Sequence, residues 1–94
     1  MKEGVSMPLI SHFYGILIYI YTEDGGQHHT PHFHARYAEF SGSYDLNGNR
    51  LSGDMPPKQN KLIEAWISIH EQELLASWRA WTENEDVIKI EGWR

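Results

Sequence analysis

The chain has 94 residues, 40% hydrophobic and 22% charged, which describes one globular domain near the lower size at which a single core suffices. A formal net charge of −5, with eight basic residues spread thinly along the chain, argues against a broad phosphate-binding face and so against nucleic acid as a partner. Cysteine is absent, which removes disulfides and thiolate chemistry and makes a reducing cytoplasm the expected compartment. The longest apolar run, Tyr14–Tyr21, is too short to cross a membrane.

Met1–Ser6 reads as a loose polar lead, with Met7 an alternative start. A single domain is expected over residues 7–94. Tyr14–Thr22 (YGILIYIYT) is the clearest strand, β-branched and aromatic. Both of its faces are apolar, which suits a central strand covered by a helix on one side. Glu23–Pro31 is a loop marked by Gly25, Gly26 and Pro31. His32–Phe40 reads as a second strand, with His32, His34 and Arg36 on one face. Gly42–Leu46 and Asn49–Ser52 flank Asn47-Gly48, a strong hairpin signal, and supply strands three and four.

Pro56-Pro57 opens a helix expected to run from Lys58 to about Glu83. Leu62, Trp66, His70, Leu74 and Trp78 recur every four residues and form a face able to cover a sheet. A break near His70 is the open point in this helix. Val87–Ile90 is a candidate short edge strand. The expected class is α+β: a four-stranded antiparallel sheet, with that candidate fifth strand, packed against one long C-terminal helix.

The chemistry concentrates in HHTPHFH, residues 28–34. His32 and His34 lie two apart on a strand, so their rings face the same way. His28 can fold back from the loop to join them, whereas His29 is a bystander. Three histidines with an open fourth position describe a catalytic zinc geometry, and imidazole suits nickel, copper and iron as well. A divalent transition metal, zinc first, is the cofactor this trio suggests. Two other readings of the stretch stay open: metal-free acid–base work by His32 and His34, and a purely structural role at a loop-to-strand junction.

Gly26, His32, His34 and Glu39 are spaced as in the first metal motif of the cupin barrels, but the chain turns helical after Pro57 and lacks the second motif. His70 reads first as a core histidine satisfied by backbone or a carboxylate. Its place on the covered helix face also makes it a candidate catalytic partner for the strand histidines. Trp66, Trp78 and Trp81 read as core, and an exposed Trp93 would mark a partner surface.

Three segments, Ile10–Tyr21, His28–Glu39 and Glu64–Trp78, together resemble a small bacterial family known as domain of unknown function 4160. The Pro31-His32-Phe33-His34 core is the most specific part. Members often carry two prolines before it, and Thr30 stands in place of the first. His28, His32, His34, Trp66 and His70 fall on the family pattern. The resemblance implies a compact α+β domain without an established activity. Such genes often lie beside another small domain, which implies a two-gene module of toxin–antitoxin type.

Two function classes follow. The first is an interaction protein that binds a neighbour-encoded protein, or a second copy of itself, through an aromatic or edge-strand surface. The second is a small hydrolase acting on RNA or a phosphorylated ligand, with His28, His32 and His34 holding a metal that activates water.

Overall fold

The computed structural model describes residues 7–20 and 30–93. Five strands come first: β1 (Leu9–Phe13), β2 (Ile16–Tyr19), β3 (His32–Tyr37), β4 (Phe40–Asp45) and β5 (Arg50–Gly53). Two helices follow, α1 (Pro57–Ile69) and α2 (Glu71–Thr82). The strands form one antiparallel sheet in the order β1-β2-β3-β4-β5. The α+β class matches the expectation from sequence. The strand count does not: the sheet has five strands rather than four, and two helices replace one.

The extra strand comes from an unforeseen turn. Tyr14 and Gly15 both take positive φ, 50° and 79°, the geometry that lets two residues close a hairpin on twisted strands. They join β1, which lies before the expected strand Tyr14–Thr22, to β2, so the first two residues of that expected strand are turn. The next described hairpin turns at Ala38-Glu39, where Ala38 has φ 52°. Strand His32–Phe40 therefore divides into β3 and the start of β4. The chain turns at Asn47-Gly48 as expected, with Gly48 at φ 85°, but through the four-residue connection 46–49 rather than a two-residue one. The Asp45 carboxylate there accepts from the backbone N–H groups of Asn47 and Asn49, at 2.9 and 3.0 Å.

Register places two chemically different rows on the two sheet faces. Phe13↔Ile16, Ile18↔Ala35 and Phe33↔Tyr44 are cross-strand pairs on the face that meets the helices. There they join Ile63, Trp66, Ile67, Leu74 and Trp78 in the buried core. Trp66 lies 5.1 Å from Phe13, ring centre to ring centre, and is fully buried. The other face carries Leu17↔Arg36↔Ser41 and Tyr19↔His34↔Ser43↔Ser52.

Pro57 starts α1, where its missing N–H has no intrahelical partner to lose. His70 interrupts the helix at φ −110°, ψ 26°. The chain restarts at once, with Glu71 and Glu73 in the first turn of α2 favourably near the positive end of its dipole.

Val87–Ile90 forms no strand. The segment 86–93 instead lies along the outer side of β1, where the Ile90 N–H donates to the Ile10 carbonyl at 2.7 Å. Its backbone is tied mainly by side chains. The Ser77 hydroxyl donates to the Ile88 carbonyl (2.9 Å) and accepts from the Ile88 N–H (3.1 Å). The Trp66 indole donates to the Glu91 carbonyl at 3.0 Å. Side-chain ties of this kind leave no period-2 ladder for a fifth expected strand to join. Trp93 packs against the core and donates to the Leu62 carbonyl at 3.2 Å, so it is no free aromatic surface. Among the described residues, no helix is long and apolar enough to cross a membrane.

Candidate functional site

β3 is the central strand, and it carries both described histidines of the cluster into the sheet. His32 and His34 are buried, 6% and 9% exposed, with ring centres 5.3 Å apart in an edge-to-face arrangement. Their alternation along the strand puts both rings on the face away from the α1 core. His32 sits at the first position of β3, and Trp78 of α2 reaches it at the sheet's end, 5.2 Å between ring centres. The Nδ1–H of His32 donates to the Thr30 carbonyl at 3.1 Å, which leaves the lone pair of the neutral ring on Nε2. A backbone carbonyl holding the far nitrogen is the usual support of a metal-binding histidine.

His28, the third proposed metal ligand, lies outside the described residues. Among the described residues, no three histidine, aspartate or glutamate side chains gather as a metal would need. His70 does not supply the missing member. Its ring packs on Trp66 (5.2 Å) and its Nδ1 donates to the Glu73 carboxylate at 2.5 Å. The helix break that frees His70 from α1 turns it toward its own helix pair rather than the strand histidines. A carboxylate does satisfy this histidine, as one of the expected readings had it, but the residue is half-buried rather than in the core.

The open sheet face has a feature that motif reading does not reach. A concavity of about 330 Å³ is bordered by Tyr19, His34, Arg36, Ser43, Ser52 and Glu39. Tyr19, His34, Ser43 and Ser52 stand opposite one another across four adjacent strands. Such directly opposed side chains lie about 4.5–5.5 Å apart at Cβ. Ser43 and Ser52 share a hydroxyl–hydroxyl bond of 2.7 Å. Arg36 was visible from the strand alternation as a neighbour of His34. The serines were not, because their alignment depends on the Ala38-Glu39 turn, which has no glycine, asparagine or proline to announce it.

A family model described as Domain of unknown function (DUF4160) matches residues 15–79. The chain belongs to this family. The matched span runs from the β1–β2 turn into α2 and includes His32, His34, Arg36, the two serines and His70. β1 and the segment 86–93 that covers its edge fall outside the span. Comparisons with curated proteins and with solved structures gave no match.

Proposed function

We propose that the protein is an interaction component of a two-gene module of toxin–antitoxin type, and that it takes a strand of its neighbour-encoded partner onto the outer edge of β5. One observation carries this reading: β5 ends the sheet with all four residues exposed, while the opposite edge is covered by the chain's own C-terminal segment. Leu51 adds an apolar anchor, 56% exposed. It is passed over in the β4–β5 register, which runs from Ser43↔Ser52 to Tyr44↔Arg50. The bulge leaves Leu51 without a cross-strand neighbour on β4. A short, bulged edge strand of this kind resists open-ended stacking.

The test is co-expression with the neighbour-encoded protein followed by size-exclusion chromatography. A 1:1 complex with the parent, lost in Leu51→Lys and kept in His32→Ala/His34→Ala, is the expected result. A complex that survives Leu51→Lys unchanged overturns the edge reading.

A second reading is a small hydrolase in which His32 and His34 hold a metal or exchange protons. The Nδ1–H bond from His32 to Thr30 supports it, because it fixes the tautomer and orientation of the ring beside His34. Elemental analysis of the untagged protein checks it. Stoichiometric metal that vanishes in the double alanine variant is expected, and a metal-free parent without RNA-cleaving activity sinks it.

A further inference from the structure

We propose that the concavity on the open sheet face binds a small molecule through a phosphate or carboxylate group, with Arg36 as the charged contact and the Ser43–Ser52 pair and His34 as the floor. The site shares Ser52 with β5 but lies on the sheet face rather than along the outer edge that would take a strand.

The donor count points to an oxygen-rich anion. Two hydroxyls joined by one hydrogen bond use one hydrogen between them, so the Ser43–Ser52 pair retains an O–H to donate. Tyr19 and Ser41 add two more hydroxyls to the border, and Arg36 adds a fork of five N–H groups. Glu39 is the one carboxylate among the described lining residues. The polar floor is part of the sheet itself, since Ser43 and His34 are 7% and 9% exposed and held by strand pairing. Fixed donors of this kind are set in place before a ligand arrives and lose little freedom on binding.

Charge placement supports the same ligand. The chain has 13 acidic residues to eight basic ones, so a carboxylate partner for each cation is easily found. Arg36 nonetheless forms no ion pair among the described residues, not even with Glu39 on the same border. An arginine facing a concavity and not engaged by the carboxylate on its border is suited to bidentate capture of phosphate or carboxylate from solution. Glu39 repels a second negative group, which favours a ligand with one anionic end. Met7 and Phe40, also on the border, offer apolar contact to the remainder.

Size limits the ligand. A volume of about 330 Å³ corresponds to roughly eleven waters at about 30 Å³ each. That lies at the small end of ligand pockets and suits a metabolite-sized molecule rather than a peptide helix or a nucleic-acid strand.

The experiment is a titration of the full chain followed by ¹⁵N NMR, with inorganic phosphate in one arm and acetate in the other. Parent, Arg36→Gln, Ser43→Ala and the remote control Lys58→Gln are compared, each checked for fold by circular dichroism. Saturable shifts at His34, Ser43 and Ser52 in at least one arm are expected. Affinity should fall about tenfold or more in Arg36→Gln and stay at the parent value in Lys58→Gln. Arg36→Lys, which keeps charge without the fork, should retain part of the affinity. Saturation in the phosphate arm alone assigns a phosphorylated ligand, and in the acetate arm alone a carboxylic acid. Shifts that fail to saturate in both arms, or that weaken equally in Arg36→Gln and Lys58→Gln, overturn the proposal.

Discussion

At the β1 edge the outermost strand is covered by the chain's own end. Ile90 bonds to Ile10, Ser77 holds both backbone groups of Ile88, and Gly92 presses so close to the His12 carbonyl that any Cβ there would collide with it. At the β5 edge no backbone bond beyond those to β4 reaches Arg50–Gly53 among the described residues, and all four residues are exposed to solvent. The difference lies in where a lost contact leaves its partner. Beside β1 the partner stays buried and unsatisfied, whereas beside β5 it stays wet. Buried orphans cost about 1–3 kcal/mol each and solvated ones close to nothing. One edge is therefore built for stability, and the other is free to be occupied.

Trp66→Ala should give the largest effect. The indole fills the space between α1 and β1 and also holds the Glu91 carbonyl. Loss of a buried tryptophan costs about 3–5 kcal/mol, against a total of about 5–15 kcal/mol for a domain. Urea unfolding should show that loss, and a change below about 1 kcal/mol would mean the segment does not depend on this ring. Ser77→Ala should come next, at about 1–3 kcal/mol, because one hydroxyl serves both the donor and the acceptor of Ile88. Hydrogen exchange at Ile90 should quicken in the same variant, and an unchanged rate would separate Ser77 from the covered edge.

Tyr44→Phe examines the inner side of the open edge. The Tyr44 phenol donates to Asn60 Oδ1 at 2.6 Å, and Arg50 of β5 reaches the same oxygen at 3.4 Å. Removing the hydroxyl should cost about 1 kcal/mol at neutral pH. Burial holds this phenol above its ordinary value of 10.0, with Arg50 pulling the other way. Below pH 10 both folded and unfolded chains keep the proton. Above it the unfolded chain ionises first, so stability falls as pH rises. Tyr44→Phe should flatten that alkaline fall, and melting curves across pH 9–11 would show an unchanged slope if another group were responsible.

The sequence patterns that located these parts were those with a single physical cause. Pro57 marked the helix start, Asn47-Gly48 marked its turn, and strand alternation put His32, His34 and Arg36 on one face. The parts that escaped depend on distant context. Tyr14 and Ala38 adopt positive φ that their side chains disfavour, and only the sheet around them makes those turns worthwhile. Leu9–Phe13 becomes a strand because β2 and the segment 86–93 lie on either side of it. Ser43 and Ser52 meet across the Asn47-Gly48 hairpin, but their alignment with His34 needed the Ala38-Glu39 register as well. For the histidines, spacing gave the shared face of His32 and His34 but not the separate Glu73 partnership of His70.

Leu51→Lys should have the smallest effect on stability, within about ±0.5 kcal/mol, as is usual for exposed positions without buried partners. The side chain is more than half exposed, and the register skips it, so no described pairing is broken. A lysine there places a charge on the outermost strand, which is how natural sheets discourage added strands. An unchanged melting temperature together with loss of the partner complex would separate the two edges cleanly: one needed for the fold, the other for recognition. If instead Leu51→Lys destabilised the chain as much as Ser77→Ala, the β5 edge would be as closed as the β1 edge, and the site of partner recognition would have to be sought elsewhere on the sheet.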